Sequence, residues 1–107
     1  MSKKSADVVS VKILPNATGT PPGKLAEAEV IFEADFGPFN GMKLVGFAVW
    51  ERRGGNGRNV TFPARQYSIN GERRSFALLR PANGELNAQD AVRDLILAAY
   101  SATETQA

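Results

Sequence analysis

From Ala26 to Phe36 the chain alternates. Ala26, Ala28, Val30, Phe32, Ala34 and Phe36 take every second position, Glu27, Glu29, Glu33 and Asp35 lie between them, and Ile31 is the sole interruption. A repeat of two belongs to a β-strand that is dry on one face and wet on the other. A helix cannot sort these residues onto separate sides, so the chain must contain a sheet, and that sheet needs an apolar layer over its dry face. The four acids read as the wet face of this strand, because simple alternation alone gives their spacing. They also discourage edge pairing or offer a counter-surface to a basic neighbouring subunit.

The remaining segments fit around this strand. Val8 to Leu14 is short and β-branched and predicts an opening strand. Pro15 to Gly23 holds three prolines and two glycines and must be a loop. Gly37 to Gly41 is a turn. Met42 to Trp50 is apolar on both faces after Lys43 and predicts a central strand, with Gly46 marking a close approach of another part of the chain and Trp50 a core or interface position. Val60 to Phe62 opens a further strand, which Pro63 places at an edge or bulge. Asn70-Gly71 is a strong hairpin signal. A two-residue turn there sets Ile69 opposite Glu72, Tyr67 opposite Arg74, and Arg65 opposite Phe76. Those residues then share one face.

One helix is expected near the end of the chain. Asn87 is its candidate N-cap, and Ala88, Ala91, Val92, Leu95, Ile96 and Ala99 follow the spacing of a buried stripe. The helix is expected to fade after Ser101, leaving 102–107 as a flexible tail, with 1–7 flexible at the other end. The fold class that follows is α+β: a twisted, mainly antiparallel β-sheet with a C-terminal α-helix in one small domain over 8–101.

The chain has 107 residues, room for one domain. It has no cysteine and no histidine. Thiolate nucleophiles, cysteine-ligated zinc, imidazole bases and Ser-His triads are therefore excluded. The segments G-x-x-x-x-G-K-[ST], G-x-G-x-x-G, S-x-x-K and G-x-S-x-G are absent. The expectation is a binding protein rather than an enzyme, with no cofactor, no metal and no small-molecule substrate. No apolar run approaches the length of a membrane span or a secretory leader, so a cytoplasmic protein without a membrane partner is expected.

Net charge is only +2, but it is unevenly distributed. Between Lys43 and Arg80 the chain carries Lys43, Arg52, Arg53, Arg58, Arg65, Arg73, Arg74 and Arg80 against only Glu51 and Glu72. Arginine is the side chain suited to bidentate phosphate contacts and to stacking. Arg65, Arg73, Arg74 and Arg80 lie around Phe62, Tyr67 and Phe76, which combines phosphate contacts with surfaces on which bases stack. Arg52, Arg53 and Arg58 flank Gly54, Gly55 and Gly57, a loop that reads either as a phosphate cradle or as a solvated hairpin connection. The candidate nucleic-acid contacts are thus Arg52, Arg53, Arg58, Arg65, Tyr67, Arg73, Arg74 and Arg80. The competing reading is a protein-interaction or assembly module whose basic face meets an acidic partner surface.

The order of these features resembles the SpoVG family of small bacterial regulators. The resemblance covers roughly 8–100. It rests on the opening strand, Gly23-Lys24-Leu25 before the alternating strand, Lys43–Trp50, Gly55-Asn56-Gly57, and Val60-Thr61-Phe62-Pro63-Ala64-Arg65. Pro81 before a closing helix that ends at Tyr100 completes it. Where the family shows Met-Pro-Ser followed by a basic residue, this chain has Phe62-Pro63-Ala64-Arg65, and the family's second basic position falls on Gln66. The resemblance implies a homodimer that binds DNA, and in some members RNA, in transcriptional regulation, with Arg65 as a contact.

Overall fold

The computed structural model describes residues 9–55, 57–85 and 87–106. Four strands form one antiparallel sheet in sequence order: β1 (Val9–Pro15), β2 (Lys24–Phe32), β3 (Lys43–Glu51) and β4 (Arg58–Thr61). Two more, β5 (Ala64–Ile69) and β6 (Glu72–Ala77), pair, among the described residues, only with each other as a separate ribbon. A single long helix, α1 (Asn87–Gln106), closes the chain. The class is α+β, with a mainly antiparallel sheet and one C-terminal helix. The expected single sheet is divided into four strands and two.

The alternation of β2 sets the sides of the four-stranded sheet. Ala26, Ala28 and Val30 are buried, and they join Phe47 and Val49 of β3, Val60 of β4 and Ile96 of α1 in one core. Val9, Val11 and Ile13 of β1 and Val92, Leu97 and Tyr100 of α1 pack around its margin. Phe47 and Phe62 meet edge to face at 5.2 Å. This face is the one α1 covers. The opposite face carries the acids, and two of them are tied locally: Glu27 to Lys24 at 2.8 Å and Glu29 to Lys43 at 3.0 Å. The strand stops at Phe32, so Glu33 and Asp35 lie beyond it, and Glu33 accepts a hydrogen bond from Ser10 Oγ.

Gly46 marks the irregular point of β3. The pairing of β2 with β3 shifts register between Ala28 and Val30, opposite this stretch. Gly46 has φ +107°, and a Cβ placed there would come within 2.9 Å of Pro63 Cβ. The close approach expected of this glycine is therefore made by Pro63, just past the end of β4. β1 runs one residue past the expected Leu14, and β3 is shifted by one residue at each end. β2 starts at Lys24 and stops at Phe32 instead of running from Ala26 to Phe36, and β4 starts at Arg58 and ends at Thr61 instead of running from Val60 to Phe62. Val8 lies outside the described residues.

The helix is longer than its sequence pattern suggests. It starts at Asn87 itself, so Asn87 is its first residue rather than the residue before it, and it continues through Gln106 instead of ending at Ser101. Two contacts fasten the extra turn: Thr103 Oγ1 donates to the Ala99 carbonyl at 3.0 Å, and Glu104 pairs with Arg58 at 2.7 Å. The expected flexible segment 1–7 lies outside the described residues. No helix among the described residues is long and apolar enough to cross a membrane.

Candidate nucleic-acid interface

The ribbon is built by its turn. Asn70 and Gly71 have φ of +53° and +80°, the left-handed pair that a two-residue hairpin requires. The turn fixes the register, and the register is the expected one: Ile69 opposite Glu72, Tyr67 opposite Arg74, Arg65 opposite Phe76. These six residues share one face. The other face holds Ala64, Gln66, Ser68, Arg73, Ser75 and Ala77. Beyond β6, the Leu78 amide still donates to the Pro63 carbonyl at 2.9 Å, so the ribbon is clamped at its root.

Aromatic rings and guanidinium groups interleave on the first face. The Tyr67 and Phe76 rings lie 5.7 Å apart, and the Arg80 guanidinium stands 5.8 Å from the centre of Phe76. Arg80 thus joins Arg65 and Arg74 although it lies outside both strands. Arg74 Nη2 donates to Glu72 Oε1 at 2.8 Å, with both side chains more than half exposed. A pair this open to water contributes little and is readily exchanged for another anion. Arg73 is on the reverse face, separated from this group by the register.

Nothing among the described residues covers the ribbon. Both strands are exposed along nearly their whole length. Tyr67, Ile69, Phe76 and Leu78 remain 38%, 48%, 39% and 55% accessible. The molecule is correspondingly elongated, with a radius of gyration of 15.5 Å and a longest dimension of 52 Å, against about 13 Å of gyration for a compact domain near this size. A two-stranded ribbon without further packing is marginally stable in water. At its root Phe62, Leu79, Pro81 and Val92 border a small apolar cleft of about 110 Å³.

The glycine-loop arginines form a second group. Arg52 and Arg53 precede the loop and Arg58 begins β4, while Arg65 lies seven residues further on past Pro63. The sequence candidates are divided: Arg65, Tyr67, Arg74 and Arg80 belong to one ribbon face, Arg73 to its reverse, and Arg52 and Arg58 to the loop before β4, while the Arg53 side chain lies outside the described residues. The loop closes on itself, with the Arg52 amide donating to the Gly57 carbonyl at 2.9 Å and the Gly55 amide to the Arg52 carbonyl at 3.0 Å. Those two amides are occupied and do not contribute to a phosphate cradle. Arg58 is also engaged: its guanidinium pairs with Glu104 and lies 4.9 Å from the centre of the Tyr100 ring. Trp50, half-buried next to this loop, donates from Nε1 to Thr61 Oγ1 at 2.9 Å.

Sequence reasoning missed Glu104, Tyr100 and Glu72. Glu72 was findable, since the expected register already set it two residues from Arg74 on the same face. Glu104 carried no signal, because 46 residues separate it from Arg58. Comparison with protein-family models, curated proteins and solved structures finds no match.

Proposed function

We propose that this chain is a non-catalytic nucleic-acid-binding regulator that works as a homodimer and engages DNA, and RNA as a second ligand, through the ribbon. The observation that carries this reading is the face on which Arg65, Arg74 and Arg80 surround the Tyr67 and Phe76 rings. Guanidinium groups supply phosphate contacts and the rings supply stacking surfaces. A projecting two-stranded ribbon is also one of the two elements that fit the major groove of a duplex. The resemblance to the SpoVG family points the same way, with Arg65 as the shared contact.

Dimerisation is supported by the exposed ribbon and by the outer edge of β1, which pairs with no strand among the described residues. An unprotected edge and a ribbon that gains little alone are both stabilised by a second copy. A cytoplasmic location is part of the same proposal.

The second reading is an interaction or assembly module. It is favoured by one specific feature: Tyr67, Ile69, Phe76 and Leu78 are all exposed apolar groups on or beside the basic face. A mobility-shift titration with wild type and with Arg65→Ala plus Arg74→Ala separates the two. Loss of the shift in the double variant supports nucleic-acid binding. An unchanged shift favours the assembly module, as does loss of self-association on reversing the charges of Glu29 and Glu33.

A further inference from the structure

Arg58, at the end of the glycine loop, is held on both sides. Its Nη2 is 2.7 Å from Glu104 Oε2, and its guanidinium carbon is 4.9 Å from the centre of the Tyr100 ring. The anchor is on the last turns of α1, the part of the helix that extends beyond the apolar stripe. The Arg58 and Glu104 side chains are 36% and 43% accessible. An ion pair this wet contributes little, so it is not a permanent fixture. A phosphodiester oxygen makes the same charge-assisted bond to a guanidinium as a carboxylate oxygen does, and a polyanion presents many of them at high local concentration.

We infer that Glu104 is an internal stand-in for phosphate. In the free protein it holds Arg58 against α1. When nucleic acid is bound, backbone phosphate displaces it, Arg58 joins Arg52 at the glycine loop, and the final turn of α1 is released. The inference rests on the nucleic-acid reading and adds a regulatory contact to it. A carboxylate that must be displaced lowers affinity, so anything that neutralises Glu104 raises it.

The test uses the full chain and a DNA duplex of mixed sequence, about 20 base pairs long, titrated at low salt. Glu104→Gln removes the competing charge while keeping the side-chain length. It should bind about two- to fivefold more tightly than wild type. Asp94→Asn removes an exposed carboxylate elsewhere on α1, and it should leave affinity unchanged. In an Arg58→Gln background, Glu104→Gln should have no effect. Hydrogen exchange at the amides of Ala102 to Glu104 should quicken when DNA is added to wild type. A second variant, Glu104→Asp, keeps the charge but retracts the carboxylate, and should also bind more tightly. Equal affinity of wild type and Glu104→Gln, or an equal gain in Asp94→Asn, overturns the displacement while leaving nucleic-acid binding intact. Failure of the wild-type chain to bind DNA overturns both.

Discussion

Pro63 packs directly against Gly46, where the chain leaves the four-stranded sheet to form the ribbon. A Cβ on Gly46 would stand 2.9 Å from Pro63 Cβ, and Gly46 itself has φ +107°. Gly46→Ala therefore suffers twice, from a collision with a rigid ring and from a backbone conformation that alanine resists. We expect a loss of about 2 kcal/mol or more, and a fall of about 8 °C or more in the thermal midpoint. A melting curve that matches wild type would show that Pro63 moves aside at no cost.

The ribbon register separates two adjacent arginines. Arg74 is on the face with Tyr67, and Arg73 is on the reverse. Arg74→Ala is expected to weaken DNA binding more than Arg73→Ala, although the two substitutions are identical in charge. Fluorescence anisotropy of labelled DNA measures this. Equal losses would mean that net charge rather than the face governs binding.

Tyr67 tests stacking separately from charge. If a base stacks on its ring, Tyr67→Ala should cost about 1–3 kcal/mol in binding to a single strand, while Tyr67→Phe keeps most of the affinity. If both variants bind like wild type, the ring is not a stacking surface.

The hydrogen bond from Trp50 to Thr61 joins β3 to β4 through side chains. Thr61→Val keeps the shape and removes the acceptor. A loss of about 1 kcal/mol in urea denaturation is expected. A neutral result would mean that water replaces the bond fully.

The exposed ribbon makes self-association measurable. Light scattering should give twice the chain mass, and Ile69→Ser with Phe76→Ser should shift the population toward monomer. A wild-type chain that stays monomeric at high concentration contradicts the dimer.

Local patterns in the sequence were legible, and long-range placement was not. The repeat of two from Ala26 to Phe32 identified the buried side of β2 because one covered face imposes that alternation. Asn70-Gly71 fixed the register of β5 with β6 because so few residues adopt two successive left-handed conformations. Gly46 and Pro63 each carried a local signal, a close approach and a strand end, but no local pattern says that the two meet or that the strands divide there into a sheet and a ribbon. The turn alone also groups Arg65, Tyr67, Arg74 and Phe76 on one face. Arg58 reads from the sequence as a free loop contact, because its partner comes from the far end of α1. The same contact explains why the helix outlasts its apolar stripe, since Glu104 is held by a charge rather than by burial.

The most direct test of the ribbon as a nucleic-acid-binding element is the salt dependence of duplex binding. About five neutralised phosphates predict that log K falls with log salt at a slope of about −4 to −5 for wild type. That slope should become shallower by about three in the variant carrying Arg65→Ala, Arg74→Ala and Arg80→Ala. A flat response in wild type, or a slope that the triple variant leaves unchanged, would contradict the assignment of that face to phosphate.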